Sequence, residues 1–208
     1  MRQLTAERHR EFLTIARQFS RPLADAMKTI GPLGYQRRET RDLGVHLARI
    51  VVGQQLSTFA ARSIWTRVEA AAARAPRMLE FCVERSAIQL RECGLSNNKV
   101  KALIALRSAE LDGRLDARQL ERLDPVARSE ALTALWGIGP WTADMVSMFY
   151  FHETDIWPLG DLAVRKTFDG FVRDHAHHTV TSAAELFAPH RSFLALYMWK
   201  IANNGPTE

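Results

Sequence analysis

Apolar residues recur at helical spacing along most of the chain, and no strand-like alternation stands out, residues 21–37 being the least clear stretch. Phe12, Ile15, Ala16 and Phe19 share one side of residues 5–19, with Thr5 placed as the cap. Ser20 and Pro22 open a second short helix that runs to about Ile30, before a Gly31-Pro32-Leu33-Gly34 turn. A helix starting at Thr40 carries Leu43, Leu47, Ile50 and Val51 and ends in V-V-G-Q-Q-L-S; Ser57 then caps another with Ala60, Ala61, Ile64, Trp65 and Val68. Residues 76–112 predict three pieces, 76–84, 86–93 and 96–111, with Gly94 ending the second. Asp124 and Pro125 open a helix to Leu135 that places Val126, Leu132 and Leu135 on one face. Further helices are predicted over 141–151, 162–173 and 189–203, with a loop at 152–155. The expected class is all-α.

Composition narrows the picture. The 208 residues are 47% hydrophobic and 25% charged, as in a water-soluble globular domain. No apolar run reaches the roughly 18 residues of a membrane span, and the charged first ten residues hold no apolar signal core. A cytoplasmic location is expected. Cys82 and Cys93, the two cysteines, both sit in helical sequence and are expected to be reduced. The charge of +5 permits a phosphate-binding face without demanding one. His175, His177 and His178 lack the i, i+4 spacing of a helical metal site and are read as a loop or helix end.

The most informative stretch is L-W-G-I-G-P-W-T-A-D, followed by W-P-L-G-D-L-A-V-R-K. Gly137 and Gly139 allow positive φ and close approach of another backbone, and Pro140 suits a first helical turn. Helix, glycine hairpin, helix presents backbone N–H groups beside a helix N-terminus, which suits an anion; on a basic chain that anion is a nucleic-acid phosphate. Asp161 follows Pro158 and Gly160 as a lone carboxylate at a helix start.

Together these segments resemble the helix-hairpin-helix (HhH-GPD) DNA glycosylase superfamily, most closely its 3-methyladenine DNA glycosylase II branch. V-V-G-Q-Q-L-S, G-L-S-N-N-K-V-K-A-L and R-S-F-L-A-L-Y-M-W add matches, so the resemblance spans about residues 40–203. It implies two helical lobes with the active-site cleft between them: residues 1–38 with 136–208, and residues 39–135. It implies Asp161 as the catalytic carboxylate and Trp141, Trp199 and Met145 as the base pocket. Gly137, Ile138, Gly139, Gln54, Gln55, Ser57 and Lys99 would contact DNA, Gln55 as the plug that fills the space of an extruded nucleotide. The hairpin carbonyls of Thr133, Leu135 and Ile138 would hold a monovalent cation. No other cofactor is expected, because the four cysteines of an iron–sulfur branch are missing. Trp136, Phe149, Phe151 and Trp157 are read as core.

The chemistry fits one carboxylate. Cleaving an N-glycosidic bond makes the sugar cationic, which a fixed carboxylate stabilises, and an alkylated purine leaves without strong acid help. Strand-nicking members carry a lysine where Trp141 stands, and Lys166 is too far along to replace it. The expectation is a monofunctional, monomeric enzyme acting on alkylated bases in double-stranded DNA. The competing readings are a non-enzymatic DNA-binding protein, or a glycosylase for hypoxanthine, ethenoadenine or oxidised bases. Gly160, where several members have a second aspartate, and Met145, where some have tyrosine, leave substrate range open.

Overall fold

The computed structural model describes residues 3–35, 40–173 and 179–204; the histidines at 175, 177 and 178 lie outside them. Among the described residues there is no strand beyond one isolated bridge, Gln3 with Gly34. Twelve α-helices follow one another: α1 Ala6–Phe19, α2 Arg21–Ile30, α3 Leu43–Gly53, α4 Thr58–Ala72, α5 Ala87–Glu92, α6 Asn97–Leu111, α7 Ala117–Arg122, α8 Pro125–Thr133, α9 Pro140–Phe149, α10 Leu162–Val172, α11 Val180–Glu185 and α12 Arg191–Asn204. The all-α expectation holds. No helix among the described residues is long and apolar enough to cross a membrane.

Starts are set by side-chain caps. Thr5, Ser20, Ser57, Ser96, Asp124 and Asp161 each accept a backbone N–H two or three residues on, satisfying donors that a helix start leaves unpaired. α3 is the exception to the expected caps. Asp42, not Thr40, accepts from Val45 N, while Thr40 Oγ1 accepts from Asp42 N. The predicted helix at 76–84 is instead two 3₁₀ turns, Met78–Phe81 and Glu84–Ser86, joined through residues with extended or irregular backbone.

The chain divides into two compact units, residues 1–37 with 147–208 and residues 38–146. The hairpin and the first turns of α9 therefore go with the central segment. In the first unit, Phe12, Phe19, Phe168, Phe187 and Tyr197 pack edge-on or tilted around one another, with centroids 5.0–6.4 Å apart. Tyr197 Oη donates to Gly31 O at 2.8 Å and lies 2.8 Å from His9 Nδ1, tying α12 to the α1–α2 pair. In the second unit, α3 packs on α4 and α6 around Leu47, Val51, Val52, Leu103 and Leu106. Arg128 of α8 is buried, yet its guanidinium donates to Leu120 O and Leu123 O at 2.9 Å each and so closes the end of α7. That leaves Val126, expected on the buried face, 69% exposed. Cys82 and Cys93 are buried free thiols; burial pushes Cys82 up to about 12.

Candidate active site and nucleic-acid interface

Asp161 is buried at the start of α10. Its Oδ1 accepts from Val164 N at 2.9 Å, the cap bond, and from Trp199 Nε1 at 3.2 Å. Trp199 is half-buried and tilted against Phe149, centroids 5.7 Å apart. Two residues read separately from the sequence, 38 positions apart, are thus joined by one hydrogen bond. The carboxylate is held in one orientation from two directions.

The segment leading to Asp161 is pinned to the start of α12. Arg191 grips Asp155 with two prongs, Nε to Oδ1 at 2.7 Å and Nη2 to Oδ2 at 2.9 Å, while Nη1 reaches Glu185 at 2.6 Å. Ser192 N donates to Thr154 O at 3.0 Å, and Ser192 Oγ accepts from Ile156 N at 2.9 Å. Burial opposes charge on Asp155, but the Arg191 hydrogen bonds and positive charge outweigh it and hold the carboxyl below its usual range. These anchors were not singled out in the sequence as positioning residues. Their only signal was the R-S pair twelve residues before Asn203, whose partners are remote.

The hairpin is built in the central unit. Gly137 has φ +83°, and a Cβ there would stand 2.6 Å from Ala102 Cβ, so both conformation and space demand glycine. Gly139 has neither constraint: its φ is not positive, and an added Cβ would meet nothing within 4 Å. Ile138 between them is buried, and its N–H donates to Leu135 O at 3.1 Å. The N–H groups of Gly137 and Gly139 find no acceptor among the described residues. Trp136, read as core, is 51% exposed, because Ile138 and Leu135 take the inward positions of the turn.

The G-Q-Q-L-S segment sits against this hairpin. Gln54 Nε2 donates to Thr142 Oγ1 at 3.0 Å and to Gly137 O at 3.5 Å. Lys99 Nζ donates to Val52 O and Gln54 O, both at 2.8 Å, closing the end of α3; burial lowers its pKa. Ser57 Oγ caps α4 through Ala60 N at 3.2 Å. Gln54, Lys99 and Ser57 therefore make internal bonds, whereas Gln55 is exposed with φ 56°. That left-handed backbone is uncommon outside glycine and is one that surrounding bonds must hold.

Of the remaining residues, Trp141 is half-buried and Met145 buried, both on α9. Asp144 lies between them. Its carboxyl makes no hydrogen bond or ion pair among the described residues, and burial pushes it up to about 6. An aspartate inside an amphipathic helix looks like a solvated position, so nothing local in the sequence signals this burial. Among the described residues no group of three or more His, Cys, Asp or Glu is placed to hold a metal ion.

No protein-family model matches the chain. DNA-3-methyladenine glycosylase 1 of Schizosaccharomyces pombe is 30% identical over 165 residues, covering 74% of this chain and 70% of that protein.

The chain belongs to the DNA-3-methyladenine glycosylase family.

Solved structures agree. A DNA-3-methyladenine glycosidase from Bacillus halodurans superposes with a TM-score of 0.78 at 28% identity, over 98% of this chain and 94% of that one. The S. pombe 3-methyladenine DNA glycosylase, solved in complex with abasic DNA, gives 0.74 at 26% identity, over 88% and 93%. The fold is that of the all-α HhH-GPD glycosylases. The first unit carries a capped carboxylate that accepts an indole N–H, and the second carries a glycine hairpin with unspent backbone donors.

Proposed function

We propose that the chain is a monofunctional DNA N-glycosylase of base excision repair that releases alkylated purines from double-stranded DNA by extruding the damaged nucleotide. The observation that carries this is Asp161, with Oδ1 fixed by Val164 N and Trp199 Nε1. A carboxylate held in one pose meets the need of a sugar that turns cationic, because it need not reorganise as charge develops. Water adds at C1′, the C1′–N bond breaks, and its electron pair neutralises the alkylated base. The water proton leaves through Asp161 or solvent. Trp141, standing where strand-nicking relatives have lysine, offers no amine for a Schiff base.

Extrusion costs a few kcal/mol, less at damaged pairs. Stacking on Trp141 and cation–π attraction of a charged purine would offset part of it, about 0.5–2 kcal/mol for the latter. The unspent N–H groups of Gly137 and Gly139 suit a phosphate, and the exposed, left-handed Gln55 suits the space the nucleotide leaves. The family's hairpin cation would rest on carbonyls of Thr133, Leu135 and Ile138. One lone pair of Leu135 O is already taken by Ile138 N–H, which leaves a second for such a contact.

The test is a panel of duplexes carrying 3-methyladenine, 7-methylguanine, ethenoadenine, hypoxanthine or an oxidised purine, scored for free base and for covalent trapping with borohydride. Release of the two methylated purines without trapping is expected. Trapping, or release of oxidised purine alone, overturns the reading; binding with no release from any duplex favours a non-enzymatic DNA-binding protein.

A further inference from the structure

Phe59 is 84% exposed and Leu56 39% exposed, which is unusual for apolar side chains on a well-anchored backbone. Anchoring is clear on both sides. Lys99 and Gln54 tie down the preceding segment, and the Ser57 cap fixes the first turn of α4 that carries Phe59. The exposure is therefore a property of a held surface rather than of a loose loop. Arg62 lies three residues on, on the same face of α4; it is exposed and forms no ion pair among the described residues. A flat apolar ring beside an unpaired guanidinium complements a nucleobase beside its phosphate.

We propose that Phe59 stacks on a nucleobase of the bound duplex while Arg62 meets a neighbouring phosphate, making the first turn of α4 a further DNA-contacting element besides the hairpin and the Gln55 segment. This rests on the reading of the chain as a DNA glycosylase. It assigns to Phe59 a task distinct from that of Gln55: holding the distorted duplex rather than filling the vacated position. Stacking is largely indifferent to base identity, so the contact raises affinity without reading sequence.

The experiment uses the full chain and a duplex with one abasic site, followed by anisotropy, with excision of 7-methylguanine measured in parallel. Phe59→Ala should weaken binding about tenfold and raise KM with kcat within twofold. Phe59→Trp should restore affinity, and its added emission relative to wild type should be quenched on DNA binding. Arg62→Ala should lower the slope of log affinity against log salt by about one. Circular dichroism should match wild type throughout, since the side chains are exposed. If wild type binds and excises while Phe59→Ala is unchanged or the Phe59→Trp emission is indifferent to DNA, this inference alone is overturned. If wild type neither binds nor excises, the glycosylase reading falls and takes the inference with it.

Discussion

Asp161 does two jobs in this account, and two substitutions separate them. Replacing it by alanine removes the α10 cap, about 0.5–2 kcal/mol. It also leaves the half-buried Trp199 indole N–H without its acceptor, about 1–3 kcal/mol. The sum is about 1.5–5 kcal/mol, or a Tm fall of roughly 3–20 °C for a chain of this size. Asparagine keeps an Oδ1 that accepts from both Val164 N and Trp199 Nε1, and caps about as well as aspartate. Asp161→Asn should therefore melt within about 2 °C of wild type. It should nonetheless lose base release by at least about a hundredfold, since an electrostatic stabiliser of developing charge has gone. Thermal melts by circular dichroism and single-turnover release from a methylated duplex read both quantities on the same samples. Retained release in Asp161→Asn would refute the catalytic assignment. An Asp161→Ala melt equal to that of Asp161→Asn would refute the cap and indole argument.

Other consequences follow from particular contacts. Asp144→Asn should be pH-dependent. The folded carboxyl titrates near 6 against 3.8 when free, so the native state binds the proton more tightly. Wild-type stability therefore falls as pH rises from about 4 through about 6 and stays reduced above it. Urea unfolding should show the variant more stable at pH 8, by up to about 2 kcal/mol after screening, and little changed at pH 4. Gly137→Ala meets Ala102 and a left-handed φ and should cost about 2–4 kcal/mol in the same assay. Gly139→Ala meets nothing; its stability should be nearly unchanged, while DNA affinity by anisotropy drops if a phosphate approaches that backbone. Arg191→Lys should not restore what Arg191→Ala loses in Tm, because one ammonium cannot reproduce the paired contact with Asp155.

What could be read from sequence, and what could not, divides by range. Caps are local, and Thr5, Ser20, Ser57, Ser96, Asp124 and Asp161 all mark starts because each needs only a donor two or three residues on. Gly137 was legible for a related reason: tight turns demand glycine wherever they occur. Gly139 looked the same in the string but has ordinary φ, and nothing local distinguishes the two. Lys99 and Gln54 resembled surface polar residues, yet their partners lie 45–47 and 83–88 positions away. The Asp161–Trp199 bond and the Arg191–Asp155 grip span 38 and 36 positions, and no periodicity encodes them. Short elements also escaped. α7 and α11, six residues each, offer less than two turns of pattern, and Met78, Phe81 and Cys82 after Pro76 keep i, i+3, i+4 spacing, which does not tell a 3₁₀ turn from an α-helix. Val126 was misassigned because a buried arginine, Arg128, occupies the inward face that periodicity gave to a valine.

The most direct measurement is chromatographic quantification of free base against abasic sites, after a single turnover on duplex DNA containing 7-methylguanine, for wild type and Asp161→Asn side by side. One free base per abasic site, with the strand intact, is expected for wild type, and neither product from the variant. Equal yields from the two proteins would contradict this, as would a wild-type reaction that breaks the strand.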